Sequence, residues 1–480
     1  MGAGAFIEPL IVVTLLFGGT WVNRNRGYRF RPWAPSYKDD SRSVSSSSSG
    51  RSSPITPGEG NGLLSPSLLP AQEPGWRKRE LRIWKWKTYA RSPNTRVFKD
   101  TLLSRLLRKF PFLVEAWYWA LIYWVYQLGR AFTAVHLSDA TVDTARKHAL
   151  QVIHVEQRLH MFIELPIQRF FLRHPFLLTW TNRVYSFIHI PGTILFLVWL
   201  YHFTTTARQR QQQQRQLNAS LPQHWRKDGK IDGQQQPHSM IPSPAGPRLY
   251  EARRRTMAVC NLLAFVVFTL WPCMPPRLLS DERVPGAEGA EARSYGFVDT
   301  VHGNGGEGSV WTHNKFCNQY AAMPSLHFGY SLLIGLTIVT IPLPPAHRRP
   351  LRLSLPLPCL LQTPIPLRLP SARRAVLLAV GTAYPAVILA AIVATANHFV
   401  LDAVAGALVC GLAWCANGVL LNLLWLEDWF LWVVRIHKPD VVARWGVGGG
   451  AVCEGEDGTS EESDEDGGWG KGKGKGALGY

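Results

Sequence analysis

The stretch Asn318-Gln319-Tyr320-Ala321-Ala322-Met323-Pro324-Ser325-Leu326-His327-Phe328-Gly329-Tyr330-Ser331 sets Pro-Ser-x-His where a polar loop turns into an apolar run. A second stretch, Ala396-Asn397-His398-Phe399-Val400-Leu401-Asp402-Ala403-Val404-Ala405-Gly406, puts a histidine and an aspartate four apart at the mouth of another such run. A third run ends at Pro275-Pro276-Arg277. The remaining chain reads as the means of bringing these three places to one face of a membrane.

Runs of about 20 apolar residues are the length that crosses a bilayer. They fall at about 111–130, 184–203, 256–274, 326–342, 375–396 and 399–424. They predict an all-α, polytopic membrane protein built as a six-helix transmembrane bundle over 111–425. An earlier run, 3–22, contains only Glu8, has no Lys or Arg before it, and is followed by Arg24, Arg26, Arg29 and Arg31. A cleaved leader wants positive charge in front, so this run reads as a signal anchor with a non-cytoplasmic N-terminus.

Between the runs the composition changes. Residues 23–75 form a Ser/Pro-rich linker that cannot bury enough apolar surface to order itself. Residues 76–110 mix Trp76, Trp84, Trp86, Tyr89 and Phe98 with many Lys and Arg, which suits a helix lying on an anionic membrane surface. Residues 135–180 read as an amphipathic connection. There Glu156, His160, Glu164 and Gln168 share a helical face by their i, i+4 spacing, and a solvated face is the favoured reading. Pro191-Gly192 reads as a kink, tolerable in a bundle. Residues 204–255 form a basic Gln-rich loop, and 427–480 a disordered tail with an acidic patch, Glu454–Asp466.

The chain of 480 residues carries a net charge of +19, with 46% hydrophobic and 18% charged residues. The basic excess lies in loops flanking the apolar runs, where the positive-inside rule places it. That argues against a nucleic-acid partner and for the bilayer. The Arg-rich loops 204–255 and 345–374 alternate with an acidic one, 278–319. Arg277, His327 and His398 therefore fall on the lumenal or extracellular side, and the Asn218-Ala219-Ser220 sequon falls on the cytoplasmic side, unglycosylated. The seven cysteines lack zinc spacing and read as small apolar residues.

His398 and Asp402 lie on one helical face. A carboxylate on one imidazole nitrogen fixes the tautomer and raises the basicity of the other, which is the base-orienter half of a triad. Such a histidine is a nucleophile; alternatively, the pair is a structural bond between helices. His327 supplies a general acid. Ser325 caps the following helix, whose N-terminus favours phosphate. Arg277 offers a planar fork for phosphoryl oxygens. No cofactor or metal is required. Zinc on the two histidines and Asp402 is the rival, and it leaves Arg277 without a purpose.

Pro-Ser-Leu-His, His398-x-x-x-Asp402 and Pro-Pro-Arg277 resemble the type-2 phosphatidic acid phosphatase superfamily. Ala-Ala-Met-Pro-Ser-Leu-His-Phe-Gly-Tyr-Ser and Asn-His-Phe-Val-Leu-Asp-Ala-Val-Ala-Gly are similar to its branch of inositol phosphorylceramide synthases and related inositolphosphotransferases. The resemblance covers about 110–425. It implies a helical bundle with a lumen-facing site and a lipid substrate. It further implies a phosphohistidine at His398, Asp402 orienting it, His327 as acid and Arg277 in the phosphate pocket, with Ser325 and Asn397 beside the substrate. Three positions depart from the superfamily pattern. Leu270 stands for a lysine, Ala391-Ile392 for Ser-Arg, and Leu326 for glycine. Lys315, with His313, is the candidate to replace the missing charge. The implied activity is a lipid phosphotransferase; the long Ser- and Gln-rich insertions point by composition to a eukaryote and so to endomembranes, Golgi or ER. A lipid phosphate phosphatase and a non-catalytic scaffold or transporter are the rivals.

Overall fold

The computed structural model describes residues 4–28, 30, 75–83, 85–135, 139–185, 189–207, 210, 245–300, 320–344, 347, 351–355 and 365–439. Most of the 23–75 linker, residues 211–244 with the sequon, His313, Lys315 and the acidic tail lie outside them.

The apolar runs become helices. In chain order these are α1 (Gly4–Val22), α2 (Leu102–Lys109), α3 (Phe112–Val135), α4 (Asp139–Arg158), α5 (Glu164–Leu172), α6 (Pro175–Arg183) and α7 (His189–Tyr201). Then follow α8 (Pro247–Leu270), α9 (Gly286–Ser294), α10 (Leu326–Thr340), α11 (Ala372–Ala394), α12 (Val400–Ala416) and α13 (Leu424–Val433). Among the described residues two helices are long and apolar enough to cross a membrane, Ala372–Ala394 and the continuous Val400–Val433. Large apolar side chains such as Trp124, Leu128, Leu262, Val376, Leu408 and Leu412 are exposed along α3, α8, α11 and α12. A water-facing surface does not carry so large an apolar belt.

Four expectations are corrected. The chain is mostly helical, not all-α. Residues 76–93 are an antiparallel hairpin, β1 (Trp76–Ile83) on β2 (Trp86–Pro93), and β3 (Leu351–Leu355) pairs with β4 (Ile365–Leu369). Along β1 the exposure alternates with period two, as on a strand with one covered face. Trp76, Lys78, Glu80 and Arg82 are exposed, while Arg77, Arg79 and Leu81 are partly covered. Arg79 donates two hydrogen bonds to Asp428, at 2.8 and 3.1 Å, and so fixes the hairpin to α13.

Pro191 and Gly192 lie in α7, and residues 186–188 just before it, which decide whether the span kinks there, lie outside the described residues. Helix α8 begins at Pro247, so Arg253, Arg254 and Arg255 are helical rather than part of a loop. The face carrying Glu156, Glu164 and Gln168 is not solvated, because all three are fully buried and only His160 is exposed. His160 has φ +55°. It ends α4 in a left-handed turn, with Met161 N–H donating to the Glu156 carbonyl at 2.8 Å. The two glutamates therefore reach inward from different helices.

Helices α10 and α11 cross very closely. A Cβ on Gly335 of α10 would lie 2.2 Å from the Gly381 carbonyl oxygen of α11, and one on Gly381 would lie 2.8 Å from the Gly335 oxygen. Small residues there let two backbones touch.

Candidate active site

Four chain segments meet at one end of the helices. Cys273 N–H donates to the Tyr320 carbonyl at 2.9 Å, and Ala322 N–H to the Cys273 carbonyl at 3.0 Å. Arg277 N–H donates to Ala396 at 2.9 Å, and Ser325 N–H to Asp402 at 2.9 Å. The end of α8, the start of α10, the end of α11 and the start of α12 are thus stitched by backbone. Gly406 makes this possible, since a Cβ there would stand 2.3 Å from the Ser325 carbonyl oxygen.

Helix α11 stops in a Schellman turn. Asn397 N–H donates to Ile392 and Ala396 N–H to Val393, both at 3.0 Å, with Ala396 at φ +49°. Alanine occupies the position that glycine usually takes. The turn delivers Asn397 and His398 side by side into the site.

His398 is buried. Its Nδ1 lies 2.8 Å from the Ala322 carbonyl oxygen and 3.5 Å from Asp402 Oδ2. A carbonyl only accepts, so Nδ1 carries the proton and Nε2 holds the lone pair. Nε2 lies 3.4 Å from His327 Nδ1, which is therefore the donor. Asp402 Oδ2 accepts its shorter bond from the Phe399 N–H, 2.9 Å away. The nearer orienter of His398 is the Ala322 carbonyl, and Asp402 adds negative charge behind it.

Ser325 is fully buried and caps α10, its Oγ accepting from Phe328 N–H at 3.4 Å. Arg277 has its fork engaged. Nε donates to Asn397 Oδ1 at 2.8 Å, and Nη1 to Asp299 Oδ2 at 3.1 Å. Asn397 Nδ2 in turn donates to Thr395 Oγ1 at 2.7 Å, so this amide orients the arginine. The structure thus brings His398, His327, Asp402, Arg277, Ser325 and Asn397 together.

The departures from the superfamily pattern are structural as well. Leu270 is exposed at the end of α8, and Ile392 is buried in the core. Neither position offers a cation. Among the described residues no three His, Cys, Asp or Glu side chains are arranged to hold a metal ion.

Sequence reasoning missed several neighbours. Asp299 reaches Arg277 because its strand of chain is pinned on both sides. Gln168 Nε2 donates to the Val298 carbonyl at 2.7 Å and Gln168 Oε1 accepts from Val298 N–H at 3.2 Å. Asn182 holds the Thr300 carbonyl at 3.2 Å. His189, buried with no partner for Nδ1, lies with its ring 4.7 Å from that of His327. An ionisable residue inside an apolar run was the available signal for His189; Asp299 carried none.

Helix ends that converge on two facing histidines, a buried carboxylate and a held arginine define a helical protein of the lipid phosphatase and phosphotransferase type. The PAP2 superfamily profile matches residues 150–219, 244–364 and 368–416, half of the chain, and the chain belongs to that superfamily. No curated protein and no solved structure matches it.

Proposed function

We propose that this chain is an integral-membrane lipid phosphotransferase of the inositolphosphotransferase-like branch, acting through a phosphohistidine. The observation that carries the reading is the facing pair, His398 Nε2 at 3.4 Å from His327 Nδ1, with His398 Nδ1 already committed to Ala322. The lone pair of Nε2 attacks phosphorus while the bond to the leaving oxygen breaks, and His327 delivers its proton to that oxygen. In the second half His327 takes the proton of an acceptor hydroxyl, whose oxygen attacks phosphorus as the P–N bond breaks. A lipid or inositol hydroxyl as acceptor gives transfer, and water gives hydrolysis. Arg277 and the α10 N-terminus neutralise the phosphoryl oxygens. The histidines, Asp402 and Arg277 supply every role without a metal.

The placement proposed for this site is the lumenal face of a six-span bundle formed by α3, α7, α8, α10, α11 and α12, in Golgi or ER membrane. Lys315 is the further phosphate-binding candidate. The cation-poor surroundings, Leu270 and Ile392, favour one rival: a scaffold that binds phospholipid without turning it over.

The test is turnover of headgroup-labelled phospholipid by purified protein in detergent, with and without ceramide, chelator present, beside His398→Ala. Labelled sphingolipid from the parent alone is the expected result. Labelled water-soluble product only would mean a phosphatase. Equal products from parent and His398→Ala, or none, would sink the phosphohistidine reading.

A further inference from the structure

Helix α12 carries Asp402 and follows directly on His398, so its first turn sets the aim of the nucleophile. Three successive amides of that turn are each taken by a carboxyl group. Phe399 N–H goes to Asp402 Oδ2 at 2.9 Å, Val400 N–H to Glu164 Oε1 at 2.7 Å, and Leu401 N–H to Glu156 Oε1 at 2.8 Å. The three acids come from three elements: α12 itself, the first residue of α5 and the last turn of α4. All three are fully buried. Each keeps a second oxygen, Glu156 Oε2, Glu164 Oε2 and Asp402 Oδ1, that is buried without a hydrogen-bond partner.

The positive end of a helix accommodates roughly half a charge. Three buried carboxylates exceed that, and one buried ion without a partner is already costly. The ionisable groups facing Glu156 are Glu164 from α5, Asp402 from α12 and Cys273 from the segment after α8. None is a cation. Two carboxyls that approach each other under these conditions share a proton rather than ionise together.

We propose that Glu156 and Glu164 form a proton-sharing acid pair that seats the first turn of α12 and so holds His398 in line with His327. They are positioning residues, and the proposal rests on the reading of His398 given above. One proton lies between the two free oxygens, leaving one negative charge for the two amides. Loss of that proton puts a second charge into the same buried space, and the seat of the turn opens. Burial, and then the neighbouring Glu164, push the Glu156 carboxyl up to about 9 from an ordinary 4.5. The pair therefore keeps its proton through neutral pH.

Between its unfolded and folded pKa values, an acid whose folded pKa is the higher holds its proton in the folded state only, so stability falls as pH rises through that window. Its contribution is complete below about 4.5, declines as pH rises, and is gone above about 9.

The test uses the full-length protein in detergent with Glu156→Gln, Glu156→Ala and Glu164→Gln. Glutamine keeps the carbonyl that accepts the Leu401 amide and replaces the shared proton with an N–H. Glu156→Ala should lower kcat by about 10- to 100-fold with little change in KM, the scale of a small misplacement of a reacting group. Glu156→Gln should recover most of that loss. The parent should lose turnover as pH passes the high end of the range, and the glutamine variants should lack that limb. Equal damage from alanine and glutamine, or an unchanged alkaline limb, would overturn the pair. Should the parent turn nothing over, the reading of His398 fails separately. The pair is then judged by unfolding midpoints, which should fall with rising pH in the parent and stay flatter in Glu156→Gln and Glu164→Gln. Parallel slopes would refute it.

Discussion

At the scale of single residues, the site is defined by what each polar atom already holds. Arg277 is the clearest case. Its bond to Asp299, at 3.1 Å, occupies a donor that a phosphoryl oxygen would otherwise take. An anionic headgroup entering the site must compete with that carboxylate. Asp299→Asn keeps the shape and removes the charge, so KM for the phosphate-bearing lipid should fall by up to about 10-fold, the worth of one charged hydrogen bond. Arg277→Lys loses the planar fork and should raise KM instead. A steady-state comparison of the two variants checks both; a KM raised by Asp299→Asn would mean that the carboxylate builds the pocket rather than blocks it. Ala396 gives a second prediction. Its φ of +49° costs a non-glycine residue about 1 kcal/mol. Ala396→Gly should therefore leave thermal stability unchanged or slightly raised. Ala396→Val, at a fully buried position, should lower it. Thermal unfolding in detergent separates the two.

At the scale of elements, the contact between α10 and α11 decides whether the site can form, since α10 carries His327 and α11 delivers His398. Gly335 and Gly381 touch backbone to backbone, so any side chain there must push the helices apart. Gly381→Val and Gly335→Val should each cost about 3 kcal/mol or more, beyond the usual range for overpacking because backbone, not side chain, is the obstacle. Folded yield by size-exclusion chromatography should collapse, while Gly418→Ala, which meets nothing, serves as the control. The positions of the long helices were legible because apolar length and the Pro-Ser and Asn-His boundaries are local properties of the chain. The 76–93 hairpin was not, because its aromatic and basic residues suit a surface helix by composition, and its anchor, Arg79 on Asp428, is a contact across most of the chain that no local pattern announces. The buried glutamates were not legible either. Their i, i+4 and longer spacings look like one solvated face until the left-handed turn at His160 breaks the helix between them. Asp299 depends on a fold-back of chain that no local pattern announces.

At the scale of the whole molecule, the two ends differ in chemistry. One holds the histidines, Arg277 and the acidic α9 with Glu288 and Glu291. The other holds the ion pair of Arg254 with Glu115, Lys438 Nζ bonded to Glu427 at 2.9 Å and to Tyr118 at 2.7 Å, and the basic hairpin anchored on Asp428. Lys and Arg are retained on the cytoplasmic side of a membrane protein. The proposed orientation thus puts the hairpin in the cytoplasm and α9 in the lumen, with the reacting phosphoryl group handled on the lumenal leaflet. Glycosylation reads this directly, because the sugar is added to Asn-x-Ser/Thr only in the lumen. Glu288 is exposed and pairs only across the surface with Lys147 at 3.4 Å, and Ala290 is exposed as well. The double substitution Glu288→Asn with Ala290→Thr therefore creates a sequon without touching the site, and the surface pair it removes is worth at most about 1 kcal/mol. Expressed in a eukaryotic cell, that variant should gain a glycan visible as a mobility shift that an endoglycosidase reverses. The parent, with its natural sequon at Asn218, should show none. A glycan on Asn218 and none on the new sequon would invert the molecule. It would turn the histidine pair toward the cytoplasm, and an acceptor confined to the lumenal leaflet could then no longer reach His398.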